Sequence, residues 1–193
     1  MWNKEVKQDM AMSKYFRVCF VLTFIVILLA AVARWQGLHS FVFAWVLNLM
    51  LMMSVLEFTR SFKPKLISTY YNSRKWEAEG NIYKWFGVHG FRKVLVWVGW
   101  EKLNKAYNPV NKNFDTLKQL EYRTRKSEFE HSIIFFIVLV LTLFIAFYYG
   151  FKQSLWLLVL NVLLNAYPVV VQRYNRPRLR NIINKIKGFS TDT

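Results

Sequence analysis

Residues 155–179 read LWLLVLNVLLNAYPVVVQRYNRPRL. Positions 155–171 carry no charge, and the string that follows holds three arginines, a Tyr, an Asn and a Pro by residue 178. An uncharged run of about 17–25 residues suffices for a helix to cross a hydrocarbon core of about 30 Å. Its β-branched end, Val169 to Val171, would favour a strand in water. In lipid every backbone N–H and C=O must be satisfied within the segment, so the run reads as a helix. It predicts a membrane span over 155–171 that stops on an unusually specific polar string.

Three more runs share this character. They are 16–33 (FRVCFVLTFIVILLAAVA), 41–56 (FVFAWVLNLMLMMSVL) and 133–149 (IIFFIVLVLTLFIAFYY). The first also fits a secretory signal peptide, with a basic start, an apolar middle and a small-x-small end at Ala31-Val32-Ala33. The chain is 54% apolar and 18% aromatic, yet its formal charge is +16 over 193 residues. The apolar residues form blocks with the charges between them. That arrangement disfavours a basic nucleic-acid binder, which has no use for long uncharged runs. The expected fold is a single all-α integral membrane domain over 1–193. It has about four transmembrane helices and an interfacial, partly helical cytoplasmic segment over 57–131.

Charge sets the orientation. Of the 27 Lys and Arg, one lies in the 34–40 loop and one in 150–154. The other 25 fall on one side of a four-span layout. The positive-inside bias places both termini and the central segment in the cytoplasm of a multi-pass cell-membrane protein. The central segment mixes Trp, Phe and Tyr with Lys and Arg, as chains do at headgroup depth. Its VLVWVGW stretch (94–100) is too short to span and suits an interfacial or re-entrant piece. Residues 101–120 are polar enough for surface loop and helix. From about Asp115 a helix is expected to run into the third span.

Polar residues near lipid are expensive and therefore informative. Glu121, Thr124, Glu128 and His131 recur at three- and four-residue spacings and share one helix face. Glu128 and His131 form a Glu-x-x-His pair, in which a carboxylate can orient an imidazole and raise its basicity. The plainer reading is a solvated helix start. Asn48, Asn161 and Asn165 lie inside spans, where Asn usually hydrogen-bonds between helices. Pro168 is expected to kink the fourth span and free backbone carbonyls. The stripe then continues to Gln172 and Arg176, with Pro177 ending the helix. Glu57 and Arg60 suit a local ion pair, and His39 and His89 are more simply packed or solvated. The single cysteine, Cys19, excludes an internal disulfide, and no Cys/His cluster has metal-ligand spacing.

Three separated pieces, WEAEGNIYKWFGVHGFRK (76–93), TRKSEFEH (124–131) and NAYPVVVQRYNRPRL (165–179), together resemble the glycosyl-diaponeurosporenoate acyltransferase family. These are small membrane enzymes that acylate a glycosylated carotenoid acid, the last step toward staphyloxanthin-type pigments. The matching positions are Glu77, Gly80, Tyr83, Thr124, Glu128, His131, Asn165 and Gln172 to Arg178. Ser132 stands where the family tends to have Trp, and VLVWVGW replaces a shorter polar turn. The resemblance implies a membrane-bound acyl transfer to a sugar hydroxyl of a glycosyl-carotenoid or related glycolipid. The donor would be acyl-CoA or acyl carrier protein, with no metal or other cofactor. In that reaction His131 is the candidate base, oriented by Glu128 or Glu77. Arg173, Asn175 and Arg176 are candidates to stabilise an oxyanion or hold donor phosphates. Gln172, Tyr174, Arg178, Asn165 and Tyr83 complete the candidate substrate contacts. A lipid methyltransferase and a non-catalytic lipid-binding scaffold stay open as alternatives.

Overall fold

A computed structural model describes residues 2–99 and 113–189. The helices are α1 (Trp2–Gln36), α2 (Phe41–Phe62), α3 (Val88–Trp97), α4 (Phe114–Tyr149), α5 (Phe151–Asn161) and α6 (Tyr167–Phe189). Short 3-10 helices at Thr69–Tyr71 and Lys75–Lys84 precede α3, and a π turn at Val162–Ala166 joins α5 to α6. There is no strand among the described residues. Four helical stretches are long and apolar enough to cross a membrane: Lys14–Gln36, Phe41–Phe62, Phe114–Tyr149 and Phe151–Lys187. The all-α, membrane-type fold read from the sequence is thus the one observed.

The chain forms two compact units, Met1–Pro64 with Glu130–Asn165, and Lys65–Phe129 with Ala166–Thr193. In the first unit, α2, α5 and the apolar part of α4 enclose a core of Ala44, Leu47, Ile134, Val138, Leu157 and their neighbours. Leu29, Val32 and Ala33 of α1 pack against it. Ile25 is buried as well, whereas Phe16, Phe20, Phe24 and Ile27 of α1 point outward. Such a face would be untenable in water but suits lipid, which solvates apolar side chains.

The second unit is built around the polar first half of α4 and the arginine-rich α6. A small core of Tyr83, Val88, Val171 and Tyr174 holds the 3-10 segment and α3 against α6. Phe91 of α3 stacks on Tyr167 with ring centroids 4.8 Å apart. Trp85 is 91% exposed and Trp97 88% exposed.

Several boundaries differ from the sequence reading. Helix α2 continues past position 56 to Phe62, because Ser61 donates to Glu57 (3.1 Å) and Thr59 donates to Glu130 (2.5 Å). Pro177 does not end its helix: α6 runs on to Phe189 with the proline inside it. Proline removes one N–H and crowds the carbonyl four residues back, here that of Arg173. The cost is confined to one turn, and the ladder resumes beyond it. Pro168 is accommodated differently, by the π turn directly before it, a known way for a helix to absorb such an insertion. Trp100 and the stretch 101–112, part of the expected surface loop, lie outside the described residues.

Candidate active site

In the second unit, two helix faces meet in matched register. Arg173, Arg176 and Arg180 recur at three and four residues along α6. Glu121, Thr124 and Glu128 recur the same way along α4. They pair in antiparallel order. Arg180 Nε donates to Glu121 (2.7 Å), Arg176 Nε to the Thr124 hydroxyl (3.0 Å) and Arg173 Nε to Glu128 (2.6 Å).

Glu128 is fully buried, and both of its carboxylate oxygens are engaged: Arg173 holds one and Arg176 the other. Arg176, 2% exposed, also donates to the carbonyls of Thr124 (3.1 Å) and Tyr71 (3.3 Å). Its guanidinium makes four hydrogen bonds to protein acceptors, so it ties α4, α6 and the Thr69–Tyr71 turn together. Arg173 bridges two carboxylates, since its Nη1 donates to Glu77 at 2.9 Å. Its guanidinium also lies over the Tyr70 ring, 4.4 Å from the centroid. Two buried carboxylates thus meet one buried and one half-buried guanidinium, a balance that makes the burial of these charges tolerable.

Glu77 is positioned by its own segment. Its Oε2 accepts from the Arg74 backbone N–H (2.8 Å), while Oε1 accepts from the Tyr83 hydroxyl (2.8 Å) and from Arg173. Burial alone would raise its pKa. The Arg74 amide, the Tyr83 hydroxyl and Arg173 outweigh that and hold it below the ordinary value of 4.5. Burial and the same contact push the Tyr83 hydroxyl up. Burial, then the Glu128 charge, do likewise for Tyr71. After Glu77 the chain turns through three successive left-handed residues, Ala78, Glu79 and Gly80 (φ 44°, 53° and 85°). A β-carbon at Gly80 would stand 3.1 Å from the carbonyl oxygens of both Arg173 and Tyr174. Only glycine fits there, and the corner abuts the turn of α6 that Pro177 opens.

The remaining candidates of the polar string divide by face. Tyr174 is buried, with His89 edge-on at 5.5 Å and Arg178 stacked over it at 3.6 Å. Arg178 also donates to the Tyr174 carbonyl and to Asn81 (2.9 Å). Gln172 donates to Ser127 (3.3 Å), and the half-buried Asn175 stands outside the network. A cavity of about 20 Å³ lies among Tyr71, Glu77, Arg173, Arg176, Pro177 and Arg180, which is room for about one water rather than a substrate. A much larger open cleft, about 450 Å³, runs along α3 beside His89, Arg92, Lys93, Val96 and Trp97.

In the first unit His131 meets an amide. Its Nδ1 lies 3.5 Å from Asn165 Oδ1, and the Leu164 carbonyl also accepts from the ring. Asn165 donates to Asn48 (2.7 Å) and to Asn161 (2.9 Å). Hydrogen bonding by Asn between spans, as expected, is present, here from one Asn to another, and the polar atoms of Asn165 are engaged by protein groups. Glu128 and His131 each have their own partners, arginines for one and an amide for the other.

Sequence reasoning did not single out Arg180, Tyr70, Tyr71, Asn72, Asn81, Arg92 or Lys93 as site residues. The signal for Arg180 was available in the three-and-four recurrence on α6 that mirrors Glu121, Thr124 and Glu128. For the α3 cleft it was the spacing of His89, Arg92, Lys93, Val96 and Trp97, which puts all five on one helix face. Nothing local marks Tyr70, Tyr71, Asn72 or Asn81, whose roles arise from contacts about a hundred residues away. Among the described residues no group of three or more His, Cys, Asp or Glu could hold a metal ion.

A family model for glycosyl-4,4'-diaponeurosporenoate acyltransferase matches residues 67–185. The chain belongs to the glycosyl-4,4'-diaponeurosporenoate acyltransferase family. The match takes in the whole Glu77–Arg173–Glu128–Arg176 network, His131 with Asn161 and Asn165, and the α3 cleft, but not Asn48. Helices α1 and α2 precede it. No curated protein and no solved structure matches the chain. The chain thus combines an acyltransferase-family match with four helices, among the described residues, that are long and apolar enough to cross a membrane.

Proposed function

We propose that the protein transfers a fatty acyl group to a sugar hydroxyl of a glycosylated carotenoid acid or a closely related glycolipid in the cell membrane. The observation that carries this reading is the family match, because it coincides with the buried polar network and with His131. The acceptor is a long apolar molecule with a polar sugar end. Helices apolar enough to cross a membrane and a separate arginine- and glutamate-rich network offer both environments such a molecule needs. The donor is an acyl thioester, acyl-CoA or acyl carrier protein.

In this reaction the acceptor oxygen attacks the thioester carbonyl carbon, a C–O bond forms and the C–S bond breaks. His131 takes the hydroxyl proton and returns it to the departing thiolate. The arginine best placed for anionic donor groups is Arg173, which is half-buried rather than sealed. Arg176 serves structure instead, as its four hydrogen bonds to protein acceptors imply. Glu77 and Glu128 position Arg173. Arg92 and Lys93, in the open cleft, suit the phosphates of a donor or of lipid headgroups. Both termini and the segment 57–131 face the cytoplasm, where acyl thioesters are made.

Lipid mass spectrometry of membranes from cells expressing the protein with a glycosyl-carotenoid acceptor tests the reading. A mass gain equal to a fatty acyl chain is expected. It should fall by about 10²–10⁴-fold in His131→Ala at equal protein level. A gain of one methyl group, or no product at all, would turn the reading toward a methyltransferase or a lipid-binding scaffold.

A further inference from the structure

The three intramembrane asparagines of the first unit form an ordered chain that ends at His131, and its direction follows from chemistry. Asn48 and Asn161 are each anchored at an atom that can only accept. Asn48 Nδ2 donates to the Ala44 carbonyl (2.8 Å) and Asn161 Nδ2 to the Phe135 carbonyl (3.0 Å). A flip of either amide would set oxygen against oxygen. With their nitrogens so fixed, both turn their oxygens to Asn165. Asn165 must then present its NH2 group, which donates to Asn48 Oδ1 and to Asn161 Oδ1. That leaves Asn165 Oδ1, an acceptor, facing His131 Nδ1 at 3.5 Å. All three amides are buried: Asn48, Asn161 and Asn165 are 4%, 1% and 2% exposed. No water competes for these bonds, and a misdirected amide would leave polar atoms unsatisfied in an apolar core.

The geometry points to a positioning role for Asn48, Asn161 and Asn165: together they fix His131 as the Nδ1-protonated tautomer, leaving Nε2 bare as the basic nitrogen. The Leu164 carbonyl also lies against the ring, and in this tautomer it can only share the Nδ1 proton. Every partner of the ring described here is neutral, so none sets a charge beside it. The order amide–amide–imidazole does for this histidine what a carboxylate does elsewhere, fixing the tautomer without adding charge to the membrane interior. This inference rests on the proposed role of His131 as the base for its catalytic consequence, but the tautomer itself does not depend on that role.

The test is nitrogen-15 NMR of histidine-labelled full-length protein in lipid nanodiscs. Three histidines give signals, and His131→Gln identifies the one of interest. The wild type should show Nδ1 protonated and Nε2 bare at neutral pH. Asn48→Leu combined with Asn161→Leu removes both acceptors that hold the Asn165 NH2 group and frees it to turn, so the opposite tautomer should become populated. The same double variant should lower kcat on the order of 10–100-fold, with KM little changed. An Nε2-protonated or doubly protonated ring in the wild type overturns the proposal, and so does an unchanged tautomer in the double variant. The wild-type spectrum decides the matter even if that variant does not fold. Full acyl transfer by His131→Gln alongside an Nδ1-protonated wild type would discard His131 as the base and keep the tautomer.

Discussion

At the scale of single residues, the informative fact about Glu77 is how many donors converge on it. One backbone amide, one phenol and one guanidinium hold its charged form, against burial that opposes it. Its folded pKa lies below 4.5, whereas in the unfolded chain the carboxylate returns to the ordinary range. A group depressed on folding stabilises the native state above its unfolded pKa. That contribution is lost as pH falls through the folded value. Thermal unfolding in detergent should therefore show a midpoint that drops as pH falls below about 4.5. Glu77→Gln should have a lower midpoint at neutral pH and a flatter acid limb. An acid limb as steep as that of the wild type would assign the acid sensitivity to other carboxylates. Glu128, with both oxygens held by arginines, shows the same logic carried to complete burial. Removing one member of such a set strands the opposite charge, a more damaging change than losing one hydrogen bond.

Between elements, the decisive joint is the one where the Lys75–Lys84 segment meets α6. Pro177 opens the helix ladder at the Arg173 carbonyl, and Gly80 closes in on that carbonyl and on the next. Replacing Gly80 by Ala would meet two obstacles, a left-handed backbone at φ 85° and two oxygens within 3.1 Å. The backbone term alone is about 1–2 kcal/mol. Gly80→Ala should lower the unfolding midpoint accordingly and reduce activity, since the same corner carries Glu77 and Tyr83. A variant as stable and active as the wild type would show that the corner is not tightly held. The α4–α6 pairing of Glu121 with Arg180, Thr124 with Arg176 and Glu128 with Arg173 then sets how the two helices slide against each other. A one-residue slip of either helix would break all three contacts at once.

For the whole molecule, the distribution of charge predicts a topology. All but two of the Lys and Arg lie outside the loops 34–40 and 150–154. Against a negative cytoplasmic leaflet, the remaining 25 favour one side. The lone Cys19 makes the test simple. In a Cys19→Ser background, Lys152→Cys should react with a membrane-impermeant maleimide on intact cells. Lys185→Cys should react only after permeabilisation. Labelling of the second on intact cells would reverse the proposed orientation. The exposed Trp85 and Trp97 with Arg92 and Lys93 fit a headgroup-depth position for α3, where an aromatic ring and a cation find partners together.

By itself the sequence determined the helical membrane architecture, the family and several residues of the polar network, because hydrophobic blocks, charge asymmetry and the string QRYNRPRL are local or countable signals. It also suggested that Asn48, Asn161 and Asn165 would hydrogen-bond between helices, without naming their partners. Only the tertiary structure decided who pairs with whom. The spacing of Glu128 and His131 puts them on one face of α4, but a face does not choose a partner. Arg173 and Arg176, some 45 residues away, claim the carboxylate because opposite charges gain most where water is excluded. Likewise Pro177 carries the local rule for a helix end, yet α6 continues through it. The contacts of Arg178 and Arg180 beyond Pro177 outweigh one missing N–H.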